Sequence, residues 1–229
     1  MSKSLVLFPW LDVEGRNRRI RAWSRQLLAI CNVTVEASAS HAAALEHCLV
    51  VANHVSWLDI FVIDAVHPCR FVAKAEIRSW PILGWLAARA GTIFISRGNK
   101  RDLRKIFQGL VDKLQQGERI GVFPEGTTAA QGNLLPFHAN LFEAAIDAQA
   151  PVQPFAVSYV DAAGVPHDSI DFIGDMTFAQ SMVRILGGKP VIARLECLAP
   201  IATVGAHRRE LALAAHAAVA TSLGVVASV

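Results

Sequence analysis

The four apolar residues Leu49-Val50-Val51-Ala52 run directly into Asn53-His54-Val55-Ser56-Trp57-Leu58-Asp59. A run so short, closed by a polar pair, reads as a buried strand rather than a helix. Ser56 suits a helix N-cap, and Asp59 stands three residues later in the capping-box position. The stretch therefore predicts a strand, a sharp exit and a helix, with His54 at the exit and Asp59 in the first helical turn. On a regular helix two residues five apart point about 140° away from each other. His54 and Asp59 can meet only where the backbone bends, and a strand-to-helix turn supplies that bend. A histidine held by a carboxylate has a fixed tautomer, and its other ring nitrogen can accept a proton from a substrate. The competing reading is that Asp59 only caps the helix while His54 packs beside Trp57.

The same alternation of short apolar runs and helical spacing extends along the chain. Strands are expected at residues 33–36, 49–52, 70–73, 91–95, 120–123, after Pro154 within 151–160, at 169–173 and at 191–198. Helices are expected at 17–31, from the His54 turn to about residue 65, at 99–117, at 137–148 and at 207–223, with Gly224 as the stop of the last. In the 99–117 helix, Leu103, Ile106, Phe107, Leu110, Val111 and Leu114 recur at spacings of three and four. Strands alternating with helices predict an α/β class, one domain with a largely parallel or mixed central sheet flanked by helices.

The 229 residues are enough for one full core, and 53% of them are hydrophobic against 18% charged. That balance is apolar for a soluble protein and calls for an outlet such as a membrane surface or a greasy ligand. No signal peptide is expected from the short apolar run at residues 5–11, and residues 211–229 are too rich in alanine for a membrane span. Cys31, Cys48, Cys69 and Cys197 show no Cys-x-x-Cys pair and no ligand spacing with histidine, so buried thiols in a reducing compartment, and no metal site, are expected.

The net charge of +3 is uneven, with +4 in residues 1–30 and −1 in the remainder. In that first segment Ile20, Trp23, Leu27 and Ile30 recur at helical spacing among Arg16, Arg18, Arg19, Arg21 and Arg25. An apolar stripe with a tryptophan and an arginine-rich face suits a membrane interface near anionic lipid, and also suits packing on the domain. The sequence accordingly divides into a membrane-interface helical segment, residues 1–32, and a catalytic domain, residues 33–229. Trp80-Pro81-Ile82-Leu83-Gly84-Trp85-Leu86, preceded by Lys74 and Arg78, is a second greasy stretch, suited to a membrane-dipping helix, the rim of an acyl pocket or the core.

Three polar clusters each follow an expected strand: Asn53-His54, Ser96-Arg97 and Glu125-Gly126-Thr127. Ligands of open α/β sheets collect beyond the carboxyl ends of the strands, so the three clusters can line one site. Arg97 has the planar fork that suits a phosphate, and equally suits an ion pair with Asp102. Gly126 and Thr127 can bring backbone N–H groups to an anion or a hydroxyl. Glu125 can instead brace its own turn, and Gly126 can simply supply a positive φ.

Asn53-His54-x-Ser56-x-x-Asp59, Gly91-x-x-Phe94-Ile95-x-Arg97, Phe123-Pro124-Glu125-Gly126-Thr127 and Pro151-Val152-Gln153-Pro154 together resemble the four ordered motifs of the glycerolipid acyltransferases. The resemblance is strong over residues 45–160 and weak in the flanks. It implies transfer of a fatty acyl group from an acyl thioester to the free hydroxyl of a lysolipid, 1-acylglycerol-3-phosphate first among them. It implies a general-base role for His54, an orienting role for Asp59, and acceptor binding by Arg97, Glu125, Gly126 and Thr127. It also implies no cofactor beyond the acyl carrier protein or coenzyme A thioester, no nucleic-acid partner, and a peripheral or monotopic place on the cytoplasmic face of the inner membrane. The chain departs from the family where the third motif commonly continues Thr-Arg-Ser, since Thr127-Thr128-Ala129 stands there. The run Phe123–Thr128, followed by Leu135-Pro136-Phe137 and Asn140-Leu141-Phe142, is similar to the branch that acylates lyso-ornithine lipid, an aminolipid without phosphate. Its hydrophobic N-terminal segment is also shorter than in many members. A thioesterase using the same His-Asp pair on water, and a non-catalytic membrane-binding protein, are the competing functional classes.

Overall fold

The computed structural model describes residues 12–38, 45–79, 83–95 and 100–225. Its strands are β1 (Val33–Ala37), β2 (Cys48–Ala52), β3 (Arg70–Lys74), β4 (Ile93–Ile95), β5 (Arg119–Val122), β6 (Val152–Val160) and β7 (Val191–Cys197). Its α-helices are α1 (Val13–Ile30), α2 (Asp59–Asp64), α3 (Leu83–Ala90), α4 (Lys100–Gln115), α5 (Phe142–Asp147), α6 (Phe178–Leu186) and α7 (Arg208–Leu223). The strands form one sheet in the order β1-β7-β6-β2-β5-β3-β4. Every pairing is parallel except β6 with β7, so the sheet is mixed. This is the α/β architecture expected from the sequence.

β2 lies at the centre and is buried along its whole length, paired with β5 on one side and β6 on the other. Side chains alternate across a strand, so its residues divide between two cores. Val50 and Ala52 join Leu28 of α1, Trp57, Phe61 of α2 and Ile185 of α6 on one face. Leu49 and Val51 join Leu110 and Leu114 of α4, Phe142 of α5 and Leu211 of α7 on the other. Helices cover both faces, which is why the central strand reads as continuously apolar.

α1 belongs to the first of these cores. Asp12 caps it, its carboxylate accepting from Gly15 N at 2.8 Å. Ile20 and Leu28 are buried, Trp23 meets Phe61 edge to face at 5.2 Å, and Leu27 packs on the same cluster. Of the expected apolar stripe, Ile30 remains outside, 61% exposed. Some of the arginines also turn inward. Arg25 Nε donates to Ala65 O at 3.0 Å and Arg21 to Val66 O at 3.3 Å, where the carbonyls at the end of α2 need donors. Arg16 reaches Glu118, which also receives Arg70 and Lys113. Among the described residues no helix is long and apolar enough to cross a membrane.

Three expectations need correction. Residues 169–173 are not a strand but a 3-10 turn, Asp168–Ile170, followed by irregular chain. Ile170 is buried, but Phe172 N donates to Val55 O at 3.1 Å, so this segment fastens the turn after β2 instead of joining the sheet. The helix expected from residue 137 starts as a 3-10 turn, Ala139–Leu141, before α5. Ser56 does not cap α2 with its side chain, because Leu58 holds the N-cap position and the Ser56 hydroxyl is buried without a hydrogen-bond partner among the described residues.

If α1 is part of the core, Leu28→Ala lowers the unfolding free energy by about 2–5 kcal/mol. Urea unfolding checks this; a loss below about 0.5 kcal/mol, the ordinary range for a surface change, would show that α1 is only lodged against the domain.

Candidate active site

Parallel pairing of β2 with β5 brings the carboxyl ends of both strands to one edge of the sheet. The chain leaves β2 through Asn53 and His54 and leaves β5 through Phe123 to Gly126. Asn53 is locked first, its amide donating to Val157 O at 2.9 Å and its carbonyl oxygen accepting from Val157 N at 2.8 Å. His54 then stands at the end of a strand that cannot slide.

Asp59 Oδ2 accepts three hydrogen bonds, from Val55 N at 2.7 Å, from Ser56 N at 2.9 Å and from His54 Nδ1 at 2.8 Å. Asp59 Oδ1 accepts from the Tyr159 hydroxyl at 2.6 Å. The backbone bend that lets residues 54 and 59 meet is thus made by the carboxylate itself, gathering two amides of the turn. With Nδ1–H donating to a carboxylate, Nε2 of His54 is left as the proton acceptor. The side chain of Asp59 is fully buried, while that of His54 is 19% exposed. The ring of His54 stacks on Phe123, with centroids 4.0 Å apart and planes at 11°, and Phe123 stacks in turn on Phe71. Burial beside Asp59 holds the Tyr159 hydroxyl well above the usual phenol range, so it remains a donor.

Glu125 reaches the same turn from β5. Its Oε1 accepts from His54 N at 2.7 Å and its Oε2 accepts from Leu135 N at 2.9 Å. His54 O accepts from Ala129 N at 2.8 Å, so the backbone of His54 is held on both sides by the segment after β5. Gly126 has φ +71°, a conformation that favours glycine, and its N–H closes a turn onto Phe123 O at 3.1 Å. Thr127 is exposed, whereas the Thr128 hydroxyl donates to Phe172 O. His54, Asp59, Glu125, Gly126 and Thr127 therefore lie on two adjacent turns at one sheet edge. Arg97 and the Trp80-Pro81-Ile82 part of the greasy stretch lie outside the described residues; Trp85 on α3 is 48% exposed. No cluster of three or more His, Cys, Asp or Glu that can hold a metal occurs among the described residues, where the four cysteines are free and buried.

Residues 32–158 match the family model described as acyltransferase. The lyso-ornithine lipid O-acyltransferase of Pseudomonas aeruginosa is 41% identical over 216 residues, covering 94% of this chain and 82% of that protein. The 1-acyl-sn-glycerol-3-phosphate acyltransferase of Neisseria meningitidis is 39% identical over 191 residues, or 82% of this chain and 74% of that protein. The chain belongs to the acyltransferase family. Its fold is also that of the 1-acyl-sn-glycerophosphate acyltransferase crystallised from Thermotoga maritima, with a TM-score of 0.67 and 23% identity over 96% of this chain and 86% of that one.

In this acyltransferase some residues that build the candidate site had no sequence signal, or a signal for another role. Tyr159 is an apolar-looking position of β6, and its approach to Asp59 depends on β6 lying beside β2. Phe123 reads as the end of a strand, yet it is the surface on which the His54 ring rests. Glu125 was expected to face the acceptor, and its two oxygens are each engaged by a backbone N–H.

Burial pushes the Glu125 carboxyl up from 4.5 to about 7, with the N–H groups of Leu135 and His54 pulling it down less strongly. Between those two values the folded protein binds more proton at this group than the unfolded chain, so its contribution to stability falls as pH rises through the window. Glu125→Gln cannot titrate. The stability of the parent relative to this variant is expected to drop by about 3 kcal/mol from pH 4.5 to pH 7 and to level off above. Urea unfolding of both proteins across that range checks it; parallel profiles, or a difference that grows with pH, would contradict the burial argument.

Proposed function

We propose that this acyltransferase moves a fatty acyl group from an acyl thioester, carried by acyl carrier protein or coenzyme A, to the free hydroxyl of a lysolipid, with His54 as general base. The observation that carries the reading is the pair His54 Nδ1 and Asp59 Oδ2 at 2.8 Å, with the carboxylate buried and the imidazole partly exposed. In the reaction the acceptor hydroxyl gives its proton to His54 Nε2 as its oxygen attacks the thioester carbonyl. Asp59 stabilises the imidazolium that forms. The tetrahedral intermediate then expels the thiol, the C–S bond breaking while the imidazolium returns its proton to the sulfur. An activated thioester needs no covalent enzyme intermediate, so the thiols are free to serve as packing.

The acceptor follows the relatives, which are named for lyso-ornithine lipid and for 1-acylglycerol-3-phosphate. 1-Acylglycerol-3-phosphate is the first reading, with Arg97, Glu125, Gly126 and Thr127 around the head group. One observation favours the aminolipid: Thr128 stands where an arginine commonly faces the phosphate, and its hydroxyl is committed to Phe172 O. The protein works at the cytoplasmic face of the inner membrane, peripheral or monotopic, where its lipid substrate resides. Exposed Ile30 on α1 and Trp85 on α3 support such contact. Aromatic and aliphatic side chains of this kind partition into the interface.

His54→Ala is expected to leave the fold intact by circular dichroism and to lower transfer by 10²-fold or more, the contribution of general-base catalysis being roughly 10²–10⁴. The assay uses one labelled thioester with lysophosphatidate, lyso-ornithine lipid and water as acceptors. A folded variant keeping more than about a tenth of the parent rate would contradict the base role, and thioester loss unaffected by added lysolipid would make the protein a thioesterase.

A further inference from the structure

His138 played no part in the motifs, and the fold lays it on the site. Its backbone N–H donates to Pro124 O at 2.9 Å, which fixes it opposite the turn after β5. Its ring then covers Gly126: a methyl group on that glycine would meet His138 Cδ2 at 3.4 Å and Nε2 at 3.7 Å. Gly126 follows Glu125, whose carboxylate holds the backbone of His54. The imidazole at 138 is thus one residue removed from the brace of the catalytic histidine.

The other described groups of this turn offer an anion no charged donor. Glu125 can only accept hydrogen bonds when ionised. The Gly126 N–H is spent on Phe123 O, and the Thr128 hydroxyl on Phe172 O. Thr127 offers an uncharged hydroxyl. The His138 ring lies beside Gly126, its residue is exposed, and neither ring nitrogen has a hydrogen-bond partner among the described residues. An imidazole keeps at least one N–H donor in either of its neutral tautomers and gains a second with a positive charge on protonation. It is the group on this turn fitted to meet an anion.

We infer that the His138 imidazole, laid over Gly126, binds the anionic head-group oxygens of the lysolipid acceptor. The shared chemistry is an oxyanion on a small polar head: the phosphate of lysophosphatidate or the free carboxylate of an N-acylated ornithine. The inference rests on the acyl-transfer reading above and assigns a specificity contact within it. Glycine at 126 is favoured by its φ of +71°, and a methyl group there would lie in ordinary van der Waals contact with the His138 ring.

The test is steady-state kinetics of the full-length parent protein, His138→Ala, His138→Gln and His138→Lys with lysophosphatidate, lyso-ornithine lipid and uncharged monoacylglycerol, using a saturating thioester. His138→Ala is expected to raise the acceptor KM by about tenfold or more for whichever anionic lipid the parent uses, the effect of one lost hydrogen bond to a charged group. Its kcat stays within about threefold, its monoacylglycerol KM is unchanged, and His138→Lys restores the affinity for the anion. His138→Gln, which keeps an N–H donor and most of the volume, falls between the two and serves if the alanine variant does not fold. The anionic lipid whose KM responds identifies the source of the oxyanion. An unchanged acceptor KM, an equal rise with monoacylglycerol, or a loss in kcat alone would overturn the assignment. A parent protein that acylates none of the three would overturn this inference together with the reading beneath it, whereas an active parent with indifferent variants overturns this inference alone.

Discussion

A carboxylate removed entirely from water organises this site. Leaving such a charge uncompensated is prohibitive, so its position is tolerable only with donors on every side. Asp59 has four: the amides of Val55 and Ser56, the Tyr159 hydroxyl and the His54 imidazole. Two of those donors belong to the turn that Asp59 itself closes. One side chain therefore shapes the backbone and selects the tautomer of His54, and in the proposed reaction it stabilises the imidazolium. Charge-assisted bonds are shorter and stronger than neutral ones, which suits a bond that holds the His54 ring in one orientation.

The remaining architecture brings other parts of the chain to that turn. Parallel pairing sends β2 and β5 out at the same edge, and β6 beside β2 supplies both the backbone that locks Asn53 and the hydroxyl of Tyr159. Glu125 and Ala129 hold His54 from the β5 side, and Phe172 holds Val55 from the segment before α6. The Trp57 indole, edge to face with Phe178 and donating to Ser181 Oγ, fastens the same turn to α6. Functional loops are ordinarily positioned by a rigid scaffold; at this candidate site the loops also bind each other. Burial keeps the Glu125 carboxyl up near 7, so this brace changes character close to neutrality.

Much of this was legible in the residues. Alternation of short apolar runs with helical spacing foretold the α/β sheet, and the polar turns after β2 and β5 foretold the site edge. What escaped had physical causes. Residues 169–173 alternate polar and apolar side chains, but their backbone bonds close local turns and reach Val55 O, a choice that only the assembled fold makes. α6 was not foreseen, although Thr177 and Gln180 form a capping box that marks its start. The stripe on α1 was correctly apolar, yet periodicity cannot say which surface a stripe meets, and most of this one meets Phe61 and its neighbours. Tyr159 is one hundred residues from Asp59 in the chain, and no local pattern links them. His138 lies twelve residues after Gly126, and what places it is the carbonyl of Pro124.

The central claim is that buried Asp59 keeps the proton on Nδ1 of His54 and leaves Nε2 free. Nitrogen-15 NMR of the His54 ring, compared with Asp59→Asn, measures it directly at a pH where the ring is neutral. The account predicts a protonated Nδ1 and an unprotonated Nε2 in the parent, and loss of that preference in the variant along with acyl transfer. A parent ring with its proton on Nε2, or a variant with the same tautomer and the same activity, would contradict it.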